Sequence, residues 1–437
     1  MSRIDRNQPI IVCGGGGFIG GHLVSEMLKR GHTHVVSVDK KPLDEWYQVH
    51  RAATNIGGAR GDLMSMDNCR RVLKGRAGAK VYQLAADMGG MGFIETHKAE
   101  CMLSVMINTQ MLVAAKEVGV DRFFYASSAC VYNADKQRDA NVTALKEADA
   151  YPAMPEDGYG WEKLFSERMG RHFREDFALP FRVARFHNVY GPFGTWEGGR
   201  EKAPAAICRK VMNAKHTGKL EIEIWGDGSQ TRSFMYITDC VKGIQMITDS
   251  KTFFEPINLG SSELVSINQL VSIAENIAGV KLQRKYKLDA PKGVAGRNSD
   301  NTMIQEVFGW EPDTKLRDGM AKTYEWIEGE YLAKYGSGKK SFVEFNYHDC
   351  KGDGASGTAK KSPRAKASAP KKASGKKKPK PKPRYATKPH AEVRGVFAEF
   401  RRGRGDDGVG VPDPLPPLPP AFSANPRVTS ANLCVQS

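Results

Sequence analysis

The chain has 437 residues, 40% of them hydrophobic, and a formal charge of +16. That length accommodates two or three domains with sizeable cores, and no apolar run approaches the ~20 residues that a membrane-spanning helix needs. Thirteen Lys or Arg and no Asp or Glu lie between Lys360 and Lys388, leaving +3 for everything else, so the basicity belongs to a tail and is no nucleic-acid signature for the folded part. The eight cysteines show no Cys-x-x-Cys pair or regular framework, which suits free thiols in a reducing compartment better than disulfides or a metal site. The polar start from Met1 to Arg6 does not read as a signal peptide, and the expectation is a cytoplasmic protein without metal.

The first element is the β-rich run Pro9 to Cys13, which leads into four glycines, Gly14 to Gly17, and then Phe18, Ile19 and Gly20 before a helical pattern from Gly21 to Arg30. A strand, a glycine turn and a helix in that order bind pyrophosphate, because the turn lets the backbone approach and the helix start offers free N–H groups. Both Gly15-x-Gly17-x-x-Gly20 and Gly14-x-x-Gly17-x-x-Gly20 fit. A second strand, His34 to Val38, ends in Asp39, whose carboxylate can accept both ribose hydroxyls of an adenosine and would repel a 2′-phosphate. NAD is therefore preferred to NADP, with Lys40 and Lys41 pulling weakly the other way.

Next come Gly61, Asp62 and Leu63, expected to flank the adenine, and a strand from Lys80 to Ala86 whose small residues let a dinucleotide pass close. It delivers the glycine-rich loop Asp87 to Gly92, with Met88 and Gly89, at the carboxyl edge of the sheet. A helix from about Ala99 to Val118 precedes a strand that begins at Arg122 and runs into Ser128 and Cys130. Tyr159 and Lys163 open the next long helix, to about Phe177, and Phe181 to Phe186 supplies another strand. Tyr and Lys four apart share one helix face, so the ammonium is expected to favour the ionised phenol. A phenolate beside a nicotinamide is a base for a sugar hydroxyl whose carbon loses a hydride. Cys130, two residues after Ser128, points to the same edge, where it is either a carbon base or a packing thiol. No carboxylate that could expel a hydroxyl occurs from Ser128 to Tyr132.

The strand and helix alternation argues for an α/β, Rossmann-like, doubly wound parallel sheet over 8–186. Shorter elements over 187–334 read mainly as a smaller α/β substrate domain, and residues 335–437 as a disordered basic, Lys/Pro-rich tail. Within the second part, a polar loop carries Asn188, Glu201 and Lys202 ahead of a helix from Ala203 to about Ala214. Arg232 follows the turn Gly226 to Gly228, and Arg297 sits in a cationic loop from Gly293 to Asn301 that could close on a phosphate. Structural ion pairs account equally well for both arginines.

With these motifs in place, residues 8 to about 334 resemble the extended short-chain dehydrogenase/reductases, and within them the GDP-mannose 3,5-epimerases. The resemblance is carried by Ala86 to Ile94, Phe123 to Cys130, Arg185 to Trp196, Gly198 to Ala206, Trp225 to Gly228 and Gly296 to Asn301. It implies NAD held by Gly14, Gly17, Phe18, Ile19, Gly20, Asp39, Asp62 and Lys163. It also implies a catalytic set in which Tyr159 deprotonates the C4 hydroxyl, Lys163 tunes the phenol, and Ser128 holds the C4 oxygen. Cys130 and Lys202 then act as base and acid on the carbons beside the transient ketone. Met88, Gly89, Ser128, Cys130, Asn188, Glu201, Lys202, Arg232 and Arg297 would contact the nucleotide-sugar, Arg297 its diphosphate.

Trp161 stands where a smaller apolar residue would be expected, which suits a side chain facing the core. Related folds pair helices of the catalytic domain, which implies a homodimer. The family pattern ends before the tail, a candidate for weak polyanion contact. A nucleotide-sugar 4-epimerase or 4,6-dehydratase uses the same scaffold, and an NAD-binding regulatory or scaffold protein with a polyanion-binding tail is the alternative from another class.

Overall fold

Strands of a parallel sheet are covered on both faces and therefore read as short unbroken apolar runs. The computed structural model, which describes residues 5–290 and 293–336, bears this out; beyond its first two residues, the tail expected over 335–437 lies outside them. The first half of the chain runs β1 (Ile10–Cys13), α1 (Phe18–Lys29), β2 (Val35–Val38), β3 (Thr54–Ile56), α2 (Met66–Leu73) and β4 (Lys80–Gln83). It continues through α3 (Met91–Thr96), α4 (Lys98–Met102), α5 (Ser104–Val118), β5 (Arg122–Ser128), α6 (Asp157–Phe177) and β6 (Phe181–Phe186). The second half adds β7 (Val189–Tyr190), α7 (Ala203–Thr217), β8 (Glu221–Trp225), β9 (Thr231–Ser233), β10 (Met235–Tyr236), α8 (Ile237–Asp249) and β11 (Ile257–Leu259). Last come β12 (Leu264–Ser266), α9 (Ile267–Ala278), β13 (Gln283–Lys287), β14 (Gly296–Arg297), α10 (Thr302–Phe308) and α11 (Leu316–Tyr335).

Seven strands form one parallel sheet in the order β3-β2-β1-β4-β5-β6-β11. Strand direction alternates side chains between its faces: Ile10 and Val12 enter the core shared with Leu23, Ile244 and Ile257, while Ile11 and Cys13 enter the one shared with Leu73, Met111 and Val183. The order reverses between β1 and β4, so the carboxyl ends of the strands open a crevice there. Smaller sheets, β12-β9-β14, β13-β8 and β10-β7, with α7, α9 and α11 packed on one another, make up the rest.

Several details differ from the sequence reading. The helix expected over Ala99 to Val118 is broken at Leu103, and at the start of α5 the Ser104 hydroxyl accepts the Asp87 amide at 2.9 Å, pinning the loop after β4. The cationic loop around Arg297 contains a strand: Gly296 and Arg297 pair with Thr231 and Arg232, and Arg297 is buried. Trp161 is 45% exposed rather than core-facing. Six cysteines, Cys13, Cys69, Cys101, Cys130, Cys208 and Cys240, are free and buried. Among the described residues no helix is long and apolar enough to cross a membrane.

Candidate active site

The crevice is built first by the turn from β1 into α1. Gly14 has φ +81°, and a Cβ on Gly20 would stand 2.1 Å from the Gly14 carbonyl oxygen, so the helix can seat on the turn only because both are glycines. Gly17 caps α1 without any side-chain hydrogen bond, leaving the first-turn amides at Phe18, Ile19 and Gly20 for a ligand. Asp39, at the end of β2, is fixed by the Lys41 amide at 3.0 Å. Burial raises its carboxyl above the usual range against the pull of Lys41 and Lys40. Asp62 spends one oxygen on a local turn, accepting the Met64 amide at 3.0 Å. Amides at a helix start, a turn without side chains and a carboxylate one strand over fit a dinucleotide.

One strand further along, β5 ends in Ser128 and a single tight turn carries Cys130, whose amide donates to Ser128 Oγ at 3.2 Å. The start of α6 is pressed against this turn. Glu156 N–H donates to the Cys130 carbonyl at 2.8 Å, and a Cβ on Gly160 would lie 2.3 Å from that oxygen. Tyr159 and Lys163 thereby enter the crevice from α6, both buried, with the Ser128 hydroxyl favouring the ionised forms of the Tyr159 phenol and the Cys130 thiol. The spacing argument expected Lys163 to draw the phenol into its ionised form, and here it does not. Its Nζ lies over ring faces, 4.9 Å from the Tyr125 centroid and 5.5 Å from that of Tyr159. Burial, then Cys130 and Glu162, push the phenol well above its ordinary range.

The opposite wall comes from the second half of the chain. Lys202 caps α7 and donates through Nζ to the Gly89 carbonyl at 3.0 Å, and burial lowers its ammonium from the usual lysine range. Met88 packs with Phe93, Cys101, Cys130 and Tyr159. Arg297 donates Nε to Gln137 Oε1 at 2.7 Å, Nη1 to Cys130 Sγ at 3.5 Å and Nη2 to Glu156 Oε2 at 2.6 Å. The ion pair is thus real, and Arg297 faces the thiol. Burial first, then Glu156, raise the Cys130 thiol, opposed by Arg297, Ser128 and Lys202. Burial also raises the Glu156 carboxyl, but the guanidinium outweighs it and holds the group below the usual range. Arg232 is lowered to about 10 by burial and by Arg297, and it donates to the carbonyls of Thr231, Val294 and Ala295 at 2.7, 2.5 and 3.3 Å.

Ser128, Cys130, Tyr159, Lys163, Lys202, Met88, Gly89 and Arg297 therefore converge. Glu201 turns its carboxylate to Arg209 at 2.8 Å and to the Gly199 amide at 2.7 Å, and Asn188, at φ +31°, donates to the Ser233 carbonyl at 3.1 Å. The sequence reading missed Glu156. The residues adjoining Cys130, from Ser128 to Tyr132, hold no carboxylate, whereas Glu156 arrives from the start of α6. Its position three residues before Tyr159, one helical turn away, was the available signal.

Residues 10–260 match the NAD dependent epimerase/dehydratase family. The chain is 45% identical over 346 residues to GDP-mannose 3,5-epimerase 1 of Oryza sativa subsp. japonica, covering 76% of this chain and 86% of the relative. It is 43% identical over 351 residues to GDP-mannose 3,5-epimerase of Arabidopsis thaliana, covering 76% and 88%. Among solved structures, UDP-glucuronic acid 4-epimerase from Bacillus cereus in complex with UDP-glucuronic acid and NAD is similar with a TM-score of 0.63 and 26% identity, over 74% of this chain and 100% of that one. The chain belongs to the NAD dependent epimerase/dehydratase family, and within it is similar over 76% of its length to the GDP-mannose 3,5-epimerases of plants.

Proposed function

We propose that the chain inverts C3 and C5 of GDP-mannose, giving GDP-L-galactose and related isomers, by way of a transient ketone at C4. The observation that carries this reading is the buried cluster that packs the Tyr159 phenol ring with the Cys130 thiol beside Met88, with Arg297 donating to that thiol and the Lys202 ammonium held on the other wall by the Gly89 carbonyl. It unites a hydroxyl base with two groups able to exchange a proton on carbon.

Gly14, Gly17, Phe18, Ile19, Gly20, Asp39, Asp62 and Lys163 would hold NAD, and bound there it supplies the acceptor and later the donor of the C4 hydride. Tyr159 takes the C4 hydroxyl proton and Ser128 holds the oxygen. The ketone acidifies the hydrogens on both neighbouring carbons, since each carbanion is stabilised as an enolate. Cys130 and Lys202 serve as base and acid from opposite faces, and removal from one with return from the other inverts the centre. Met88, Gly89, Asn188, Glu201, Arg232 and Arg297 hold the nucleotide-sugar. Arg297 spends three of its five N–H donors on Gln137, Cys130 and Glu156, which leaves one on each Nη for a phosphate.

The test is incubation of the protein with NAD and GDP-mannose in deuterated water. Uptake at C3 and C5 with inverted products is expected. Uptake at C5 with loss of water would favour a 4,6-dehydratase, a reading that Glu156 beside Cys130 now makes specific, although the Arg297 pair leaves Glu156 poorly suited to donate a proton. No uptake at all would overturn both.

We further propose a division into a dinucleotide half over 8–186 and a mainly sugar-binding part over 187–334, a cytoplasmic setting in keeping with the free thiols, and a basic tail whose weak polyanion contacts salt abolishes. A homodimer is supported by the exposed apolar side chains Met102 on α4, Leu103 at the break and Met106 on α5, with Trp161 and Phe165 on α6. Sedimentation equilibrium should give twice the chain mass, and Trp161→Glu should shift it toward the monomer.

A further inference from the structure

Next to Lys163 stands a carboxylate to which the reaction assigns no task. The Glu162 side chain has 0% exposure. Its Oε1 accepts from Asn108 Nδ2 at 2.5 Å, Ser166 Oγ at 3.1 Å and the Tyr125 hydroxyl at 3.2 Å, and Asn108 is itself held by Gln83 Nε2 at 2.7 Å. Residues of β5, α5 and α6 thus converge on one oxygen, and β4 braces one of them through Gln83. The other, Oε2, has no hydrogen-bond partner among the described residues, and Lys163 Nζ stands 3.6 Å from it. That separation is beyond a hydrogen bond yet well within Coulombic reach in a buried site. The ammonium therefore lies between the carboxylate and the faces of the Tyr125 and Tyr159 rings.

We propose that Glu162 is a positioning residue that holds the Lys163 ammonium back from the Tyr159 phenol until the ribose hydroxyls of the dinucleotide engage it. The inference rests on the reaction proposed above, in which Tyr159 is the base. Three features support it. One carboxylate oxygen is anchored by three donors, which fixes where the second points. That second oxygen has no donor and so exerts its full attraction on the nearby cation. Among the described residues no hydrogen bond ties the cation to the phenolic oxygen that the Tyr-x-x-x-Lys spacing would lead it to serve, and its Nζ stands 5.5 Å from the Tyr159 ring centroid against 3.6 Å from the Glu162 carboxylate. The dinucleotide then does more than accept electrons: its ribose competes with Glu162 for Lys163 and so arms the base only in a loaded site.

The ionisable groups facing the phenol are Cys101 from α4, Cys130 from the turn after β5, and Glu162 and Lys163 from α6; Tyr125 on β5 stands behind them with Glu167. The negative charge of Glu162 raises the Tyr159 phenol. Glu162→Gln removes that charge and releases Lys163 toward the phenol, and both effects lower the phenol pKa. It is expected to bring Tyr159 ionisation down by about one pH unit in the cofactor-free protein, a tenfold change in the phenolate ratio.

The readout is the near-ultraviolet phenolate signal that Tyr159→Phe abolishes, measured in each background. Added NAD should move that titration less in Glu162→Gln than in the wild type. With GDP-mannose, the acid limb of deuterium uptake should move the same way. Should the glutamine variant fail to fold, Glu162→Asp, which withdraws the charge by one methylene, should move the titration in the same direction by less. A titration that is unmoved or moves up in the folded variant overturns the proposal. The phenol signal needs no sugar, so missing deuterium uptake in the wild type would overturn the reaction while the titration still decides the part played by Glu162.

Discussion

Deuterium uptake at C3 and C5 is expected to fall by about two to four orders of magnitude in Tyr159→Phe, the range over which a positioned general base acts. Neither carbon is acidic until C4 has become a ketone, so a base lost at the first step silences both later ones. The substitution removes only the phenolic oxygen. The ring keeps its packing against Met88, Phe93, Cys101 and Cys130, so the fold loses at most one polar contact, worth about 1 kcal/mol. Activity should therefore vanish while the urea midpoint scarcely moves. Retention of more than about one tenth of the uptake would show that another group takes the C4 proton.

The largest loss of stability is expected from Glu167→Ala. Glu167 on α6 receives Arg185 of β6 through both oxygens, Nε to Oε1 at 3.0 Å and Nη2 to Oε2 at 2.7 Å, and the Ser127 hydroxyl also donates to Oε1. Both side chains are 3% exposed. Burial by itself would lower the Arg185 guanidinium, but Glu167 outweighs it and holds the group above its ordinary range. Removing the carboxylate leaves a buried cation with no charged partner to replace it, held by the Glu147 carbonyl at 2.7 Å and by the Tyr132 ring 5.2 Å away, at a cost of about 3–5 kcal/mol. Urea unfolding measures it, and a loss below about 1 kcal/mol would contradict the assignment. The double replacement Glu167→Met with Arg185→Met should recover much of the loss, because a packed apolar pair carries no unpaired charge. The tie also joins the helix bearing Tyr159 and Lys163 to the sheet, so Glu167→Ala should lower activity at temperatures well below its own unfolding.

Much of the dinucleotide half could be read in the chain because its determinants are local. The run Ile10 to Cys13 can only be a buried strand, a glycine turn follows at once, and Asp39 ends the next apolar run; each inference spans a few residues and rests on backbone sterics and periodicity. The Tyr159 and Lys163 pair was visible for the same reason, since a helix puts residues four apart on one face. Cys130 drew notice from its place two residues after Ser128, but its role, and Lys202 altogether, came from resemblance, because nothing in their immediate neighbours distinguishes a buried thiol or a surface lysine from a reactive one.

Tertiary structure decided what those residues face. Lys163 is turned toward Glu162 and two aromatic rings, so the spacing that revealed the pair did not reveal its electrostatics. Arg297, read as a loop cation, became the partner of Glu156 and Cys130 because β14 pairs with β9 and brings residue 297 to a thiol 167 positions away. Trp161, where a smaller apolar residue was expected and a tryptophan tolerable if it faced the core, lies outside, since α6 turns Tyr159 and Lys163 to the crevice and the residue between them must face elsewhere. Sequence by itself determined which residue types and local elements exist, because steric and periodic constraints act over a few residues. Charge state, partner and direction came only with the fold, because desolvation and Coulomb interactions depend on distance in space, and distance in space is set by chain segments far apart in sequence.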